Sequence, residues 1–326
     1  MTWPDQHQLA VLSLALVLEA LCGYPAWIHA RLSHPVVWIG RLIDGLDAAL
    51  NRDDDSAGRR RLLGMLALTL VLAIAGAAAI VASHLLRALP FGSLAEAVLA
   101  ASLLAQRSLH THVAAVSDAL RTGGLAAGRT AVSHIVGRDP DALDEAGVGR
   151  AAIESLAENF SDAVVAPALW FAVLGLPGMA LYKAINTADS MIGHRSPRHA
   201  AFGWAAARLD DLVNLPASRL SAVLIAGAAV ISGGNIRGTW SAVGRDARHH
   251  RSPNAGWPEA AMAGALDVRL AGPRVYDGHR VEDGWMGDGR AEVMPDDIDA
   301  ALRLYRLSCS ILLGLALAAA VVMRAI

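Results

Sequence analysis

The chain has 326 residues, of which 54% are hydrophobic and only 18% are charged, whereas charged residues make up about a quarter of a typical soluble domain. Together with a mean hydropathy of +0.40, this deficit of charge indicates several lipid-facing segments. The formal net charge of −2 excludes the strongly basic surface expected of a nucleic-acid-binding protein. Cys22 and Cys309 form no CxxC or metal spacing and are interpreted as small apolar packing residues.

Six apolar stretches are candidate membrane segments. Residues 9–22 are preceded by Asp5 and by no Lys or Arg, so a retained span is favoured over a secretory signal. Residues 62–83 match the roughly 20 apolar residues that cross a hydrocarbon core. Residues 94–106 are shorter and contain Glu96, which predicts either a third span or a helix packed under the membrane surface. The remaining candidates are 164–185, 212–232 and 302–323.

The stretch 164–185 is long enough to cross a membrane, but Leu176-Pro177-Gly178 interrupts it. Proline removes a helical hydrogen bond and Pro-Gly is a turn signal. Two half-helices would form a re-entrant hairpin that returns the chain to the side it left, whereas a full crossing would export Asp189 and Arg195. The sequence leaves both topologies open.

The short connection 26–61 is rich in arginine, which predicts a cytoplasmic position. We expect the polar motifs described below to lie on that side as well. The segments 107–162 and 233–300 are polar, and Gly123-Gly124 separates helices within the first of them.

The fold class predicted from these segments is all-α. The chain is expected to be a multi-pass protein of the cell inner membrane with about four or five transmembrane helices, one re-entrant hairpin and extramembrane helices. Because no internal repeat or sharp boundary is evident, residues 1–326 are predicted to form one membrane-embedded helical domain.

The first polar motif contains three carboxylates. Glu154, Glu158 and Asp162 follow one another at i, i+4 and i+8, so a helix would place them on one face, with Asn159 beside them. A solvated acidic face is the common interpretation of this pattern. However, Asp162 runs directly into an apolar segment, where a carboxylate is costly without a partner. Carboxylate oxygens on one face also suit Mg²⁺.

A second acidic motif, Asp210-Asp211 with Asn214 one helical turn later, lies at the start of the apolar stretch 212–232. The simpler interpretation is capping of that helix. Paired with the first carboxylate face, the motif predicts a two-sided metal and phosphate site.

Several candidate anion ligands lie between these acidic motifs. Lys183, the only lysine of the chain, either extends to the membrane interface or holds a phosphate as a point charge. The polar stretch that follows supplies three further cationic candidates, His194, Arg195 and Arg198. Asn186 and Asp189 lie between Lys183 and this stretch.

A third polar cluster covers residues 249–259. Adjacent histidines point in different directions on a helix, so His249 and His250 are not expected to share a metal. No P-loop, no GxGxxG after a strand and no HExxH occur in the sequence. A bound nucleotide would therefore be held by another scheme.

The chain resembles the adenosylcobinamide-phosphate synthase family, membrane proteins of cobalamin biosynthesis, over nearly its whole length. The resemblance is carried by long, ordered motifs: HPVVWIGRLID, ESLAENFSDAVVAPALW, YKAINTADSMIGHR, RLDDLVNLPASR, RSPNAGWPEAAMAGAL and VYDG. One departure is Gly23-Tyr24-Pro25, where the family often has Gly-Asp-Pro, so no acidic role is expected at that position here.

The resemblance implies an ATP-dependent amide ligation that joins a propionate carboxylate of adenosylcobyric acid to (R)-1-amino-2-propanol or its O-phosphate. ATP would convert the carboxylate into an acyl phosphate, and Mg²⁺ would offset phosphate charge. A carboxylate or a histidine would deprotonate the amine. The expected partners are these small molecules and membrane lipid, with either a second copy of the chain or other membrane proteins of the pathway; nucleic acid is not expected.

Residue roles follow as hypotheses. The predicted Mg²⁺ ligands are Glu154, Glu158, Asp162, Asp210 and Asp211. The predicted catalytic residues are Glu158, Asp162, Lys183, Asp189 and Asp211. The predicted substrate and phosphate ligands are Asn159, Asn186, His194, Arg195, Arg198, Asn214 and Asn254.

Two other classes of function stay open. A membrane phosphotransferase or prenyltransferase also places paired acidic motifs and Mg²⁺ at helix ends. A non-enzymatic corrinoid transporter would line a pathway with intramembrane ionisable residues, although much of the polar inventory here lies outside the apolar stretches.

Overall fold

The computed structural model describes residues 6–24, 33–136, 140–276, 279–281 and 284–325. The chain is predominantly helical, which confirms the all-α prediction. In the described residues, four helical segments are long and apolar enough to cross a membrane: Ala57–Arg87, Glu145–Ile192, Trp204–Ile231 and Pro295–Ala325.

In chain order the described helices are α1 Gln6–Cys22, α2 Pro35–Leu50, α3 Ala57–Arg87, α4 Gly92–Ala101, α5 Gln106–Val132, α6 Glu145–Phe160, α7 Ala166–Ile192, α8 Trp204–Ile231, α9 Ile236–Asp246, α10 Gly256–Leu266 and α11 Pro295–Ala325. A π-helical turn, Ser161–Val165, joins α6 to α7. Short 3₁₀ turns cover Pro140–Ala142 and Ala247–His249. The short strands are β1 Leu270–Ala271, β2 Arg274–Tyr276, β3 His279–Val281 and β4 Trp285–Met286, which pair antiparallel as β1–β4 and β2–β3.

The chain divides into two compact units, each assembled from segments that are distant in sequence. Unit 1 consists of Met1–Ala105, Ala166–Asn214 and Leu315–Ile326, and unit 2 of Gln106–Val165 and Leu215–Gly314. Both boundaries inside 160–220 fall within continuous helical segments. This arrangement explains why the sequence shows no sharp domain boundary.

The core of unit 1 forms where α2 and α7 pack on α3. Ile43, Leu68, Ala188 and Phe202 belong to one buried apolar cluster. An added Cβ at Gly64 would overlap the carbonyl oxygen of Phe202, so glycine permits this close approach.

Helix α7 turns back sharply at Gly175, which has φ 67° and ψ −158° and adjoins the Leu176-Pro177-Gly178 interruption seen in the sequence; that this turn makes the segment re-entrant in a membrane stays a prediction. A Cβ at Gly178 would overlap the carbonyl oxygen of Trp170. In a straight helix, residues eight positions apart are separated by about 12 Å, so the two halves must fold back at the glycine. Pro177 follows the break and is accommodated at the start of the second half.

Helix α4 is too short for the third span considered above. Its ten residues extend about 15 Å, roughly half the thickness of a hydrocarbon core. Glu96 is buried and accepts a 2.8 Å hydrogen bond from Ser83 Oγ, while Arg87 Nε lies 3.8 Å from its other oxygen. The length of α4 and the paired carboxylate favour the alternative of a packed helix, and the position of α4 relative to a membrane stays a prediction. The first apolar helix, α1, is also short at 17 residues.

Unit 2 contains the extramembrane-type helices and the strands. Helix α5 is broken at Gly124 (φ 65°, ψ −160°), at the predicted Gly123-Gly124 separation. Arg121 on α5 forms ion pairs with two carboxylates at the start of α11. Its Nη2 atom lies 2.5 Å from Asp296 Oδ1 and 2.6 Å from Asp299 Oδ2. The polar segment 233–300 is only partly helical, because it also carries the four short strands.

Helix α8 begins earlier than the sequence indicated. It runs from Trp204 to Ile231 and contains Pro216 internally. Asp210, Asp211 and Asn214 therefore lie within the helix, well after its first turn, so the simpler interpretation that they cap its start does not hold.

Candidate functional site

Two facing helices of unit 1, α7 and α8, form a buried network of polar side chains. On each helix the side chains that take part are one helical turn apart. On α7, Tyr182 and Asn186 are four residues apart, and on α8, Asp210 and Asn214 have the same spacing. Tyr182 Oη donates to Asn214 Oδ1 at 2.9 Å, and Asn214 Nδ2 donates to Asp210 Oδ2 at 3.0 Å. Asn186 Nδ2 lies 3.4 Å from Asp210 Oδ1. These contacts pair the two helix faces in antiparallel order.

The network is almost fully removed from solvent. Asn214 is 0% exposed and Asp210 is 9% exposed. A buried carboxylate is costly unless hydrogen bonds or charges compensate it, so the two amides hold Asp210 in a defined orientation. A further bond, from Trp170 Nε1 to the carbonyl oxygen of Val213 at 3.1 Å, joins the first half of the hairpin to α8.

Three carboxylates of unit 1 lie within electrostatic reach of one another. The charges of Asp189 and Asp211 both act on Asp210. Asp189 lies against Gly193, where an added Cβ would overlap its Oδ1 atom. Like charges this close repel, so a nearby cation would stabilise the three carboxylates.

Cations do lie beside this cluster. The charge of His194 acts on Asp189, and the charge of Arg195 acts on Asp211. Arg208 Nη1 is 3.7 Å from Asp211 Oδ2. His194 and Arg195 are exposed, and Lys183 is half-buried on α7. The structure thus gathers most of the site residues that were predicted in α7, α8 and the segment between them.

Arg198 has a structural partner instead. Its Nη2 atom lies 2.7 Å from Asp47 Oδ2, and its carbonyl oxygen accepts hydrogen bonds from Asn51 and Arg60. Burial would raise the pKa of Asp47, but hydrogen bonds from Asn51 and Arg198 bring it below its usual value. The predicted role of Arg198 in phosphate binding would require it to leave this carboxylate.

In unit 2, the three carboxylates of the first acidic motif, Glu154, Glu158 and Asp162, differ in their exposure to solvent. Glu154 is buried and its Oε1 accepts from the backbone N–H of Ala271 at 2.8 Å. Glu158 is exposed, and Asp162 is half-buried within the π-helical turn. Single π-helical turns frequently occur at functional sites. Asn159 donates to the carbonyl oxygen of Ser155 at 2.9 Å.

Asn254 belongs to a second polar cluster in unit 2. It is buried, and its Oδ1 accepts from Ser218 Oγ at 3.1 Å and from Arg219 Nη1 at 2.9 Å. The guanidinium of Arg219 lies over the ring of Trp257, 4.5 Å from its centroid. Sequence reasoning did not select Arg219, although a cation inside a largely apolar helix is a signal of a functional contact.

Within the ranges that the structure describes, no three or more His, Cys, Asp or Glu side chains are grouped so as to hold a metal ion. The five carboxylates predicted as Mg²⁺ ligands are therefore not gathered into a preformed cage. Mg²⁺ commonly uses only one or two protein carboxylates and completes its shell with water and substrate phosphates. The donor chemistry of Asp189, Asp210 and Asp211 fits that mode of binding.

Comparisons with known proteins are consistent over almost the full chain. The family model described as CobD/Cbib protein matches residues 12–305. A protein of Sinorhizobium sp. named cobalamin biosynthesis protein CobD is 52% identical over 322 residues, covering 96% of this chain and 98% of the relative. Proteins of the same name are 50% identical in Brucella suis biovar 1, covering 97% and 98%, and 48% identical in Rhodobacter capsulatus, covering 91% and 92%. No solved structure matches the chain significantly. The chain belongs to the CobD/Cbib family.

Proposed function

We propose that this protein acts in cobalamin biosynthesis as a membrane-bound ligase. It would join a propionate carboxylate of adenosylcobyric acid to (R)-1-amino-2-propanol O-phosphate, or to the free aminopropanol, with ATP and Mg²⁺. Membership of the family and the name of its close relatives support the pathway. The reaction rests on the likeness of the sequence motifs and on the chemistry of the site residues.

The observation that carries the proposal is the mixed cluster of unit 1. Asp189, Asp210 and Asp211 interact electrostatically, and His194 and Arg195 act on two of them. Such a set of carboxylates with adjoining cations suits a nucleotide whose phosphates are complexed by a divalent ion. Bound Mg²⁺ would offset the charge of the phosphates.

The residues of the chain would divide the remaining work. Lys183 and Arg195 would hold phosphate oxygens, and Asn186 would keep Asp210 oriented. The substrate carboxylate takes the terminal phosphoryl group of ATP and releases ADP. The amine then attacks the acyl carbon, the C–N bond forms as phosphate leaves, and a carboxylate or histidine takes the amine proton. The predicted roles of Glu158, Asp162 and Asn159 in unit 2 rest on the sequence.

The test is product formation by detergent-purified protein supplied with each substrate singly and with both together. ADP and a matching amide product are expected only when ATP, the corrinoid and the amine are all present. Binding of the corrinoid without turnover would contradict the proposal and favour a carrier. Turnover of a lipid diphosphate or nucleotide-linked alcohol without ATP would favour a phosphotransferase.

Substitutions in the acidic cluster of unit 1 test whether this site carries out the ligation. Asp189→Asn and Asp211→Asn should remain folded and reduce the rate of ligation at least about 100-fold, because general-base and charge-positioning groups each contribute roughly 10²–10⁴-fold. Asp54→Asn is a matched control, since Asp54 is exposed in the turn before α3. Wild-type rates in both site variants would refute the assignment of these residues.

A further inference from the structure

The cluster around Arg219 in unit 2 contains two cations and few compensating charges. Arg219 is half-buried on α8, and the charge of Arg248, in the turn Ala247–His249, acts on it. Among the residues that the structure describes, neither arginine forms an ion pair with a carboxylate. The neighbouring Arg245, by contrast, is neutralised by Asp246 at 2.6 Å and Asp288 at 2.5 Å.

The other contacts of Arg219 hold it in place without neutralising it. Nη1 donates to Asn254 Oδ1 at 2.9 Å, to Ser218 Oγ at 2.9 Å and to the carbonyl oxygen of Leu215 at 3.2 Å. The face of the guanidinium rests on the ring of Trp257. All three acceptors use the same nitrogen. The fork of an arginine carries five N–H donors, so the remaining donors of Arg219 are available to a planar or tetrahedral anion.

The start of α10 adds a third source of positive potential. Asn254 and Trp257, which contact Arg219, flank the start of α10. The first residue of α10 is Gly256, and its N-cap, Ala255, supplies no side-chain cap. A Cβ at Gly256 would overlap the carbonyl oxygen of Ala247, so this glycine lets the helix start approach the turn that carries Arg248. Helix N-termini attract anions, phosphate above all.

Two carboxylates of the described residues, Glu259 and Asp246, lie near the cluster. Glu259 lies in the first turn of α10 and is buried, with Oε1 3.9 Å from His250 Nε2. Asp246 is engaged by Arg245 and by the backbone N–H of Gly287 at 2.9 Å. A half-buried guanidinium beside a second arginine is unfavourable unless an anion accompanies it.

We propose that Arg219 and Arg248, with the start of α10, form a binding site for the phosphate monoester of the amine substrate. This inference rests on the proposed function for the identity of the ligand. It assigns the phosphate group of the amine to unit 2, whereas the cations Lys183 and Arg195, which we expect to hold the nucleotide, belong to unit 1. Arg219 and Arg248 are then specificity-determining residues that select the phosphorylated amine over the free one.

The first test compares two amines that differ only in the phosphate group. In steady-state ligation with the corrinoid and ATP saturating, Arg219→Gln and Arg248→Gln should raise KM for aminopropanol phosphate about 10-fold or more, since a hydrogen bond to a charged group contributes enough for that ratio. KM for free aminopropanol and kcat should stay within about twofold of wild type. Arg219→Lys should restore part of the loss, because it keeps the charge without the fork.

The matched control is Arg237→Gln, which removes the same charge from an exposed position in the first turn of α9. It should change neither KM. An equal rise of KM for both amines in the Arg219 and Arg248 variants, or no rise, would overturn the proposed site while leaving the ligase activity standing.

A binding measurement separates this site from the proposed reaction. Titration calorimetry of the purified protein with inorganic phosphate should give saturable binding that Arg219→Gln and Arg248→Gln weaken about 10-fold and Arg237→Gln does not. If wild-type protein shows no ligation yet retains this arginine-dependent binding, the proposed function fails and the anion site stands. Phosphate binding that is indifferent to both arginines would refute the site.

Discussion

At the scale of single residues, the polar side chains of unit 1 form hydrogen bonds between two helices because they recur at the same one-turn interval on each helix. Tyr182 and Asn186 on one helix face Asn214 and Asp210 on another, and each pair is one turn apart. The sequence predicted Asn186, Asp210 and Asn214 as site residues from their type and density. Tyr182 escaped notice because a tyrosine in an apolar run resembles a core residue, and only the position of the facing helix shows its partner.

Asp246 provides a prediction about acid stability. Burial would raise the pKa of Asp246, but hydrogen bonds from Arg245 and from the N–H of Gly287 bring it below the usual value of 3.8. Because the folded pKa is the lower one, this carboxylate stabilises the fold above about pH 3.8. That contribution is lost as the pH falls through the folded value.

Asp246→Asn should therefore reduce the free energy of unfolding by about 1–2 kcal/mol at neutral pH, since it removes charge-assisted hydrogen bonds to a buried carboxylate whose partner, Arg245, is 43% exposed. The difference between wild type and variant should shrink as the pH falls below 3.8. Chemical denaturation of both proteins in detergent at pH 7 and below pH 3.8 measures it. Asp288→Asn, at the exposed partner of Arg245, is the control and should cost much less. A difference that stays constant with pH would contradict the expected linkage.

At the scale of elements, the sequence predicted breaks better than it predicted helix starts. Pro177-Gly178 and Gly123-Gly124 marked both glycine breaks, because turn residues have a local signature. The start of α8 at Trp204 was missed, since residues 204–211 are polar enough to read as a connection. The π-helical turn at Ser161–Val165 has no signature of its own, so the different environments of Glu154, Glu158 and Asp162 could not be foreseen.

Gly175 and Gly124 form a natural pair for testing the breaks. Both have a positive φ that L-residues rarely adopt, but a Cβ at Gly124 would meet nothing, whereas one at Gly175 would lie 2.8 Å from Gln8 Nε2. Gly124→Ala and Gly175→Ala should each cost about 1–3 kcal/mol from backbone strain, because the one close contact at Gly175 is with the flexible end of Gln8, which can move aside. Gly314→Ala, at a helical position with open space, should be neutral or slightly stabilising.

Thermal unfolding of the three alanine variants in one detergent measures these differences. Equal midpoints for Gly175→Ala and Gly314→Ala would show that α7 tolerates a straight path and would contradict the reversal at Gly175.

At the scale of the whole molecule, contacts within unit 1 place two distant loops at the same end of the helices. Arg198 binds Asp47, and Arg60 donates to the carbonyl oxygen of Arg198. The arginine-rich turn before α3 and the segment 193–203 therefore lie together. The sequence alone left the side of Asp189 and Arg195 open, because topology depends on whether residues 164–185 cross or return.

We expect this shared end to face the cytoplasm, because short arginine-rich loops stay inside. In a background with Cys22→Ser and Cys309→Ser, Asp54→Cys and Pro197→Cys should react with a membrane-impermeant maleimide only after the cells are permeabilised. Leu89→Cys, beyond the other end of α3, should react in intact cells. Labelling of Asp54→Cys from outside would reverse the orientation and move the proposed nucleotide site away from cytoplasmic ATP.

The reversal at Gly175 has a consequence for how the protein enters its membrane. The turn Gly175-Leu176-Pro177-Gly178 carries no charge, and both half-helices are apolar from Ala166 to Tyr182. Moving a charged loop across the hydrocarbon is costly, and this pair of half-helices requires no such step. The hairpin can partition into the bilayer from the side of synthesis as one unit. Under the re-entrant topology, the segment that carries Asp189, His194 and Arg195 would therefore not have to cross the hydrocarbon.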